Sequence, residues 1–158
     1  MDDFAIARVL HVLAVVLWIG GVAMVTTVLL PAVGRMKTPR ERVEFFERVE
    51  RRFAWQARAT TLVAGGSGFY MVHYMNAWDR FAQAAFWWMH AMVIVWVIFT
   101  LMLFILEPLL LHRYFLVRAE RDPSGTFALI QRMHWVLLTI SLLAVAGAVA
   151  GSHGWFWV

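Results

Sequence analysis

FAIARVLHVLAVVLWIGGVAMVTTVLL, residues 4–30, decides the fold of this chain. Arg8 and His11 are its only ionisable side chains. The hydrocarbon of a bilayer is about 30 Å thick, and a helix crosses it in about 20 residues. A run this long and this apolar reads as a transmembrane helix. Asp2 and Asp3 precede it where a signal peptide carries basic residues, and the apolar character runs past Leu30. The segment is therefore expected to be retained rather than cleaved.

Three further runs of this kind follow, over residues 56–75, 84–111 and 127–151. The whole chain has 158 residues, of which 62% are hydrophobic and 15% charged. A soluble domain of this size needs more charge to cover its surface. The sequence predicts an all-α integral membrane protein, one domain over residues 1–158, folded as a four-helix up-down-up-down bundle. There is no cysteine. That excludes disulfides, thiolate metal sites, iron–sulfur clusters and covalent c-type haem.

The loops orient the bundle. The segment between the first two runs carries Arg35, Lys37, Arg40, Arg42, Arg48, Arg51, Arg52 and Arg58, and the last connection carries Arg113, Arg118 and Arg121. The opposite side has only Arg8 and Arg80. The positive-inside rule places both basic loops in the cytoplasm and both termini on the periplasmic side of a bacterial-type inner membrane. The formal charge of +4 then serves topology and anionic lipid, and no nucleic-acid partner is expected. Trp78, Trp87, Trp88, Trp155 and Trp157 read as the outer aromatic belt, and Trp55 as the inner one.

Thr38-Pro39-Arg40-Glu41 is a capping box with proline at the first helical position. Behind it Val43, Phe46, Val49, Glu50 and Phe53 form a largely apolar stripe, with Glu44–Arg48 and Glu47–Arg51 as i,i+4 pairs. A short amphipathic helix over residues 39–54, lying on the cytoplasmic leaflet, is expected.

The residues that carry chemistry are histidines, because ionisable groups inside a membrane are functional candidates. At about 1.5 Å of rise per residue, His11 lies about 10 Å below the outer edge of the first helix. His90, in Trp87–Met92 (WWMHAM), lies at nearly the same depth in the third. These helices are diagonal partners in the expected bundle. Two imidazoles at one depth suit the two faces of a haem, so His11 and His90 are the expected iron ligands of a b-type haem. Arg8, one turn outward, can pair with a haem propionate or snorkel to the interface. His73 and His153 form a second outer pair, and a second haem would use them. His112 and His134 lie toward the inner side.

The small residues of Ala64-Gly65-Gly66-Ser67-Gly68 and of Ala144, Gly147, Ala148 and Gly151 make room for a flat ligand, for helix–helix packing or for a homodimer contact. Pro108 is expected to kink the third helix and free a carbonyl. Its neighbour Glu107 either relays a proton or pairs with an inner arginine. Met71, Met75, Met89 and Met92 sit near the outer histidines. Thioether with imidazole suits copper, which makes copper binding or transport the alternative to haem. A cofactor-free structural subunit is the second alternative.

Leu10-His11, Trp18-Ile19-Gly20-Gly21 and Leu30-Pro31 resemble the first helix of the small four-helix membrane proteins grouped with copper-resistance protein D (CopD). Phe53-Ala54-Trp55, Gly65 to Met71, Met89-His90-Ala91-Met92 and Ile130-Gln131-Arg132 continue the resemblance, from about Ala5 to Gly154. The same superfamily is similar to HemJ-type protoporphyrinogen oxidase, a b-haem membrane protein. That similarity implies a haem-ligating histidine at His11. It also implies a lysine two residues after the helix-3 histidine, where this chain has Met92, so the oxidase activity itself is not implied. The expected role is redox: electron transfer, or oxidation of a quinol or another small lipophilic substrate, with a quinone or a redox protein as partner.

Overall fold

In a computed structural model the chain is all-helical, with no strand among the described residues, which are 3–36, 38–111, 114, 117–118 and 121–155. Lys37, His112, Arg113 and Trp157 lie outside them, as do the side chains of Val43, Glu44, Phe46, Glu47, Glu50 and Arg51. Among the described residues there are four long helices. Three are long and apolar enough to cross a membrane: Asp3–Gly34, Ala84–Leu109 and Ser124–Ser152. This makes the chain a multi-pass membrane protein in contact with lipid.

The first helix, α1 (Asp3–Gly34), runs a few residues past Leu30 and ends at Gly34. It passes Pro31 through a wide π-helical turn, Val25–Leu29, and ends after Leu30–Gly34. A proline in a helix lacks an N–H and crowds the carbonyl one turn back. Widening the turn before it relieves that crowding and lets the helix continue.

The second helix, α2 (Pro39–Tyr74), corrects the expected division into a surface helix over 39–54 and a span over 56–75. The two are one rod of 36 residues, about 54 Å long at 1.5 Å per residue. There is neither Gly nor Pro between Arg40 and Ala64 to break it. The expected cap is present, with Thr38 Oγ1 accepting from the Glu41 backbone N–H. Asn76, with φ of 49°, turns the chain after this helix; asparagine tolerates the left-handed region better than most residues.

Two short 3₁₀ segments, Trp78–Ala82 and Ala84–Phe86, lead into α3 (Trp87–Leu101). It continues as a π-helix over Met102–Leu111, which contains Pro108. In π geometry residue 108 would bond to the carbonyl of residue 103, and proline cannot. Arg58 Nε of α2 donates to the Leu103 carbonyl at 3.0 Å in its place. The expected freed carbonyl is real, and the arginine that reaches it also pairs with Glu107. The last helix, α4 (Pro123–Ser152), starts four residues before the expected 127 because Asp122 caps it, accepting from Gly125 N–H at 2.9 Å. The hydrogen bonds from Gly125 and Ser124 hold the Asp122 carboxyl below its ordinary range.

The core has two parts. Ala14, Trp18, Val22, Ala64, Val95, Phe99, Leu138 and Ala144 form the main cluster, with Trp18 edge-on to Phe99 at 4.8 Å. Val25, Leu30, Val33, Phe127 and Ile130 close the Gly34 end. The remaining helix faces are broad and apolar, with Val9, Leu13, Val16, Ile94, Val136 and Leu143 exposed. That is the surface lipid covers.

Candidate functional site

The buried stripe of α1 runs Ala7, Ala14, Trp18, Val22 and Val25. His11 falls on that stripe and is half-buried. Its ring points at the small-residue run of α2. Nδ1 lies 2.9 Å from the Ala64 carbonyl and 3.3 Å from Ser67 Oγ. A carbonyl only accepts, so Nδ1 carries the proton and Nε2 keeps a lone pair. The Ser67 hydroxyl donates to its own helix, to Val63 O at 2.5 Å. Gly68 allows the approach: a Cβ there would stand 3.2 Å from His11 Cε1. The run Ala64–Gly68 thus seats the imidazole and fixes its tautomer.

His90 is placed differently. The buried face of α3 is Met89, Val95 and Phe99, with Met92 half-buried against the main core. His90 is one position off that face and exposed. Its ring stands edge-on to Phe81 of the first 3₁₀ segment, with centroids 5.3 Å apart at 85°. His11 and His90 therefore have separate neighbours, an α2 carbonyl for one and an aromatic ring for the other. Arg8 is exposed one turn from His11.

His73 and His153 are both exposed. His153 Nδ1 donates to Val149 O at 2.8 Å, a bond within its own helix. His134 is half-buried and likewise donates to Ile130 O at 2.9 Å. Among the described residues no three His, Asp or Glu side chains gather as a metal-ligating group.

Three of the glycines expected to leave room for a flat ligand, Gly65, Gly147 and Gly151, are filled by rings, whereas Gly66 meets nothing within 4 Å. A Cβ on Gly65 would stand 2.6 Å from Cζ2 of Trp96, whose indole N–H donates to Thr61 O at 2.9 Å. Gly147 takes Trp87, whose Cη2 would be 2.5 Å away, and Gly151 takes Trp88, whose Cε2 would be 2.7 Å away. Gly21 faces Phe53 in the same way. Each notch is an aromatic socket that locks one helix onto the next. The tryptophans Trp87, Trp88 and Trp96 were the residues whose packing role the sequence hid, because the first two read equally well as interface markers.

An axial haem ligand needs one ring nitrogen free and the other held by a hydrogen bond to the protein. His11 meets that requirement through Ala64. Gly65, Gly147 and Gly151, filled by tryptophan rings, do not supply the macrocycle's space, so the residues fit the group at His11 and not at these notches. Toward the middle of the bundle, Trp18 stands edge-on to Phe99 in the main core. No protein-family model, curated protein or solved structure matches this chain.

Proposed function

We propose that the chain is a b-type haem-binding membrane protein with a redox role, in which His11 would hold the haem iron through Nε2. The observation that carries this reading is the Nδ1–H bond from His11 to the Ala64 carbonyl at 2.9 Å. Such a bond orients the ring, raises its basicity and leaves Nε2 to the metal. His90 is the proposed second ligand, and the exposed Arg8 is the proposed partner of a propionate. Bound haem would supply one-electron chemistry. The protein's own part is to hold the His11 ring and to keep its tautomer through Ala64.

The up-down arrangement is part of this reading. Phe4 stacks on Tyr74, His11 reaches Ala64, and Gln56 Nε2 reaches Leu17 O, so contacts descend α2 as they climb α1. With the basic loops on the cytoplasmic side, His11 sits toward the outer leaflet of a bacterial-type inner membrane and the termini are periplasmic. A quinol or another small lipophilic reductant, arriving through lipid, is the proposed electron donor. The motifs that resemble those of the CopD-like proteins support the same reading. Met92 stands where the HemJ-type pattern has lysine, so protoporphyrinogen oxidation is not part of the proposal.

A second reading has an observation of its own. The aromatic plugs in Gly65, Gly147 and Gly151 favour a cofactor-free packing subunit in which the His11 bond only joins α1 to α2. Cofactor content separates the readings. The protein is expressed with haem and copper supplied, purified and assayed by pyridine haemochrome and by metal analysis. About one haem b per chain supports the proposal. A colourless preparation with stoichiometric copper overturns it in favour of copper handling, and neither cofactor leaves the packing subunit.

A further inference from the structure

Hydroxyls inside membrane helices normally donate to the carbonyl one turn back, because lipid offers no other partner. This chain follows the rule. Thr26, Thr60, Thr100, Thr126, Thr139 and Ser141 each bond the carbonyl four residues earlier at 2.7–2.8 Å. Thr61 is the exception. Its side chain is fully buried, at 0% exposure, yet Oγ1 has no partner among the described residues. Trp18 is 4% exposed, and its indole Nε1 is equally without a partner.

The contacts on either side bring the two orphans toward one level of the bundle. Leu17 meets Gln56 on one side of that level and His11 meets Ala64 on the other. A helical side chain leans toward the N-terminus of its helix, which carries the Trp18 ring toward the level of Ala14 and hence of Thr61. α3 links them as well: Trp96 donates to the Thr61 carbonyl, and Phe99, three residues on, is edge-on to Trp18. One orphan is an obligate donor and the other both donates and accepts. A donor and a hydroxyl buried together and unsatisfied describe the lining of a water site.

We propose that the core between α1, α2 and α3 binds buried water, held by Trp18 Nε1–H as donor and by Thr61 Oγ1. The site falls on a polar stripe of α2 that the lipid-facing surface conceals. Arg58, paired with Glu107, lies three residues before Thr61, and the Ala64 carbonyl that holds His11 lies three residues after it. Bound water at Thr61 makes this stripe a hydrated step between the Arg58–Glu107 pair and the histidine. The inference stands on the two orphans and does not require a haem.

Water-edited solid-state NMR on full-length protein with ¹⁵N-labelled tryptophan, reconstituted in phosphatidylglycerol–phosphatidylethanolamine bilayers, tests it. Trp18→Phe assigns the Trp18 indole signal. The expected result is polarisation transfer from water to the Trp18 indole, and none to that of Trp96, which is bonded to Thr61. Thr61→Val, which keeps shape and removes the hydroxyl, is expected to abolish the Trp18 signal, and Thr61→Ser to retain it. A wild-type Trp18 indole that receives nothing from water, while exposed Trp55 does, overturns the proposal. So does a Trp18 signal that survives Thr61→Val.

Discussion

Gly65→Ala, set beside Gly66→Ala, measures how much the aromatic sockets hold the bundle together. The two positions are adjacent and share a helix, so helix propensity favours alanine equally at both, by about 0.5–1 kcal/mol. A Cβ at Gly66 meets nothing within 4 Å, so that gain is all Gly66→Ala feels. At Gly65 the same Cβ would stand 2.6 Å from Trp96 Cζ2. The neighbour there is a rigid ring, so relief comes only by moving the indole and helix α3 behind it. Overpacking of this kind costs about 1–3 kcal/mol. Moving the indole also strains its bond to Thr61 O, worth about 0.6–1.5 kcal/mol in membrane and soluble proteins. Gly65→Ala is expected to come out less stable than Gly66→Ala by about 2–4 kcal/mol. Reversible unfolding in mixed micelles, followed by tryptophan fluorescence, reads that difference. Equal stabilities for the two variants would refute the sockets as structural contacts.

The bond that replaces the one lost to Pro108 makes a second prediction. Arg58→Met leaves the Leu103 carbonyl bare and Glu107 unpaired, and is expected to lower stability by about 1–3 kcal/mol, the charge part being reduced by the partial exposure of both side chains. Adding Glu107→Gln to it should recover part of the loss, because the stranded charge is gone; a double variant worse than Arg58→Met in the same unfolding assay would contradict the pairing. The cap on α4 makes a pH prediction. The Asp122 carboxyl is held below its ordinary range, chiefly by the Gly125 N–H. Its stabilisation is therefore fully present above the unfolded-state value and is lost as pH falls through the lower folded value. The Gly125 amide shift should titrate with that low midpoint, and Asp122→Asn should abolish the titration while keeping the cap. An ordinary midpoint for Gly125 would remove the carboxylate from the cap.

Much of the fold was legible because bilayer thickness and the helical rise convert apolar length directly into helices. Thr38 and Pro39 announced the start of α2, and Pro108 announced a carbonyl in need of a donor. The helix boundaries at Leu30 and Trp55 were not legible. Pro31 reads as a stop unless a π turn makes room for it, and a charged segment reads as separate from the span it continues. His11 could be read as core-facing from its register with Ala7, Ala14, Trp18 and Val22. The same test, applied to Met89, Val95 and Phe99, puts His90 off the buried face of α3. Depth alone had paired the two histidines, and depth says nothing about the side of a helix. The orphaned groups of Trp18 and Thr61 leave no mark in the sequence, since each residue type usually finds a partner.

The visible spectrum of the purified protein, taken before and after dithionite beside His11→Ala and His90→Ala, tests the central claim most directly. The account predicts a sharp reduced α band in the wild type and its loss in His11→Ala. Loss in His90→Ala as well would identify the second ligand. An unchanged low-spin spectrum in His11→Ala would contradict the account, because the held imidazole at Ala64 would then bind no iron.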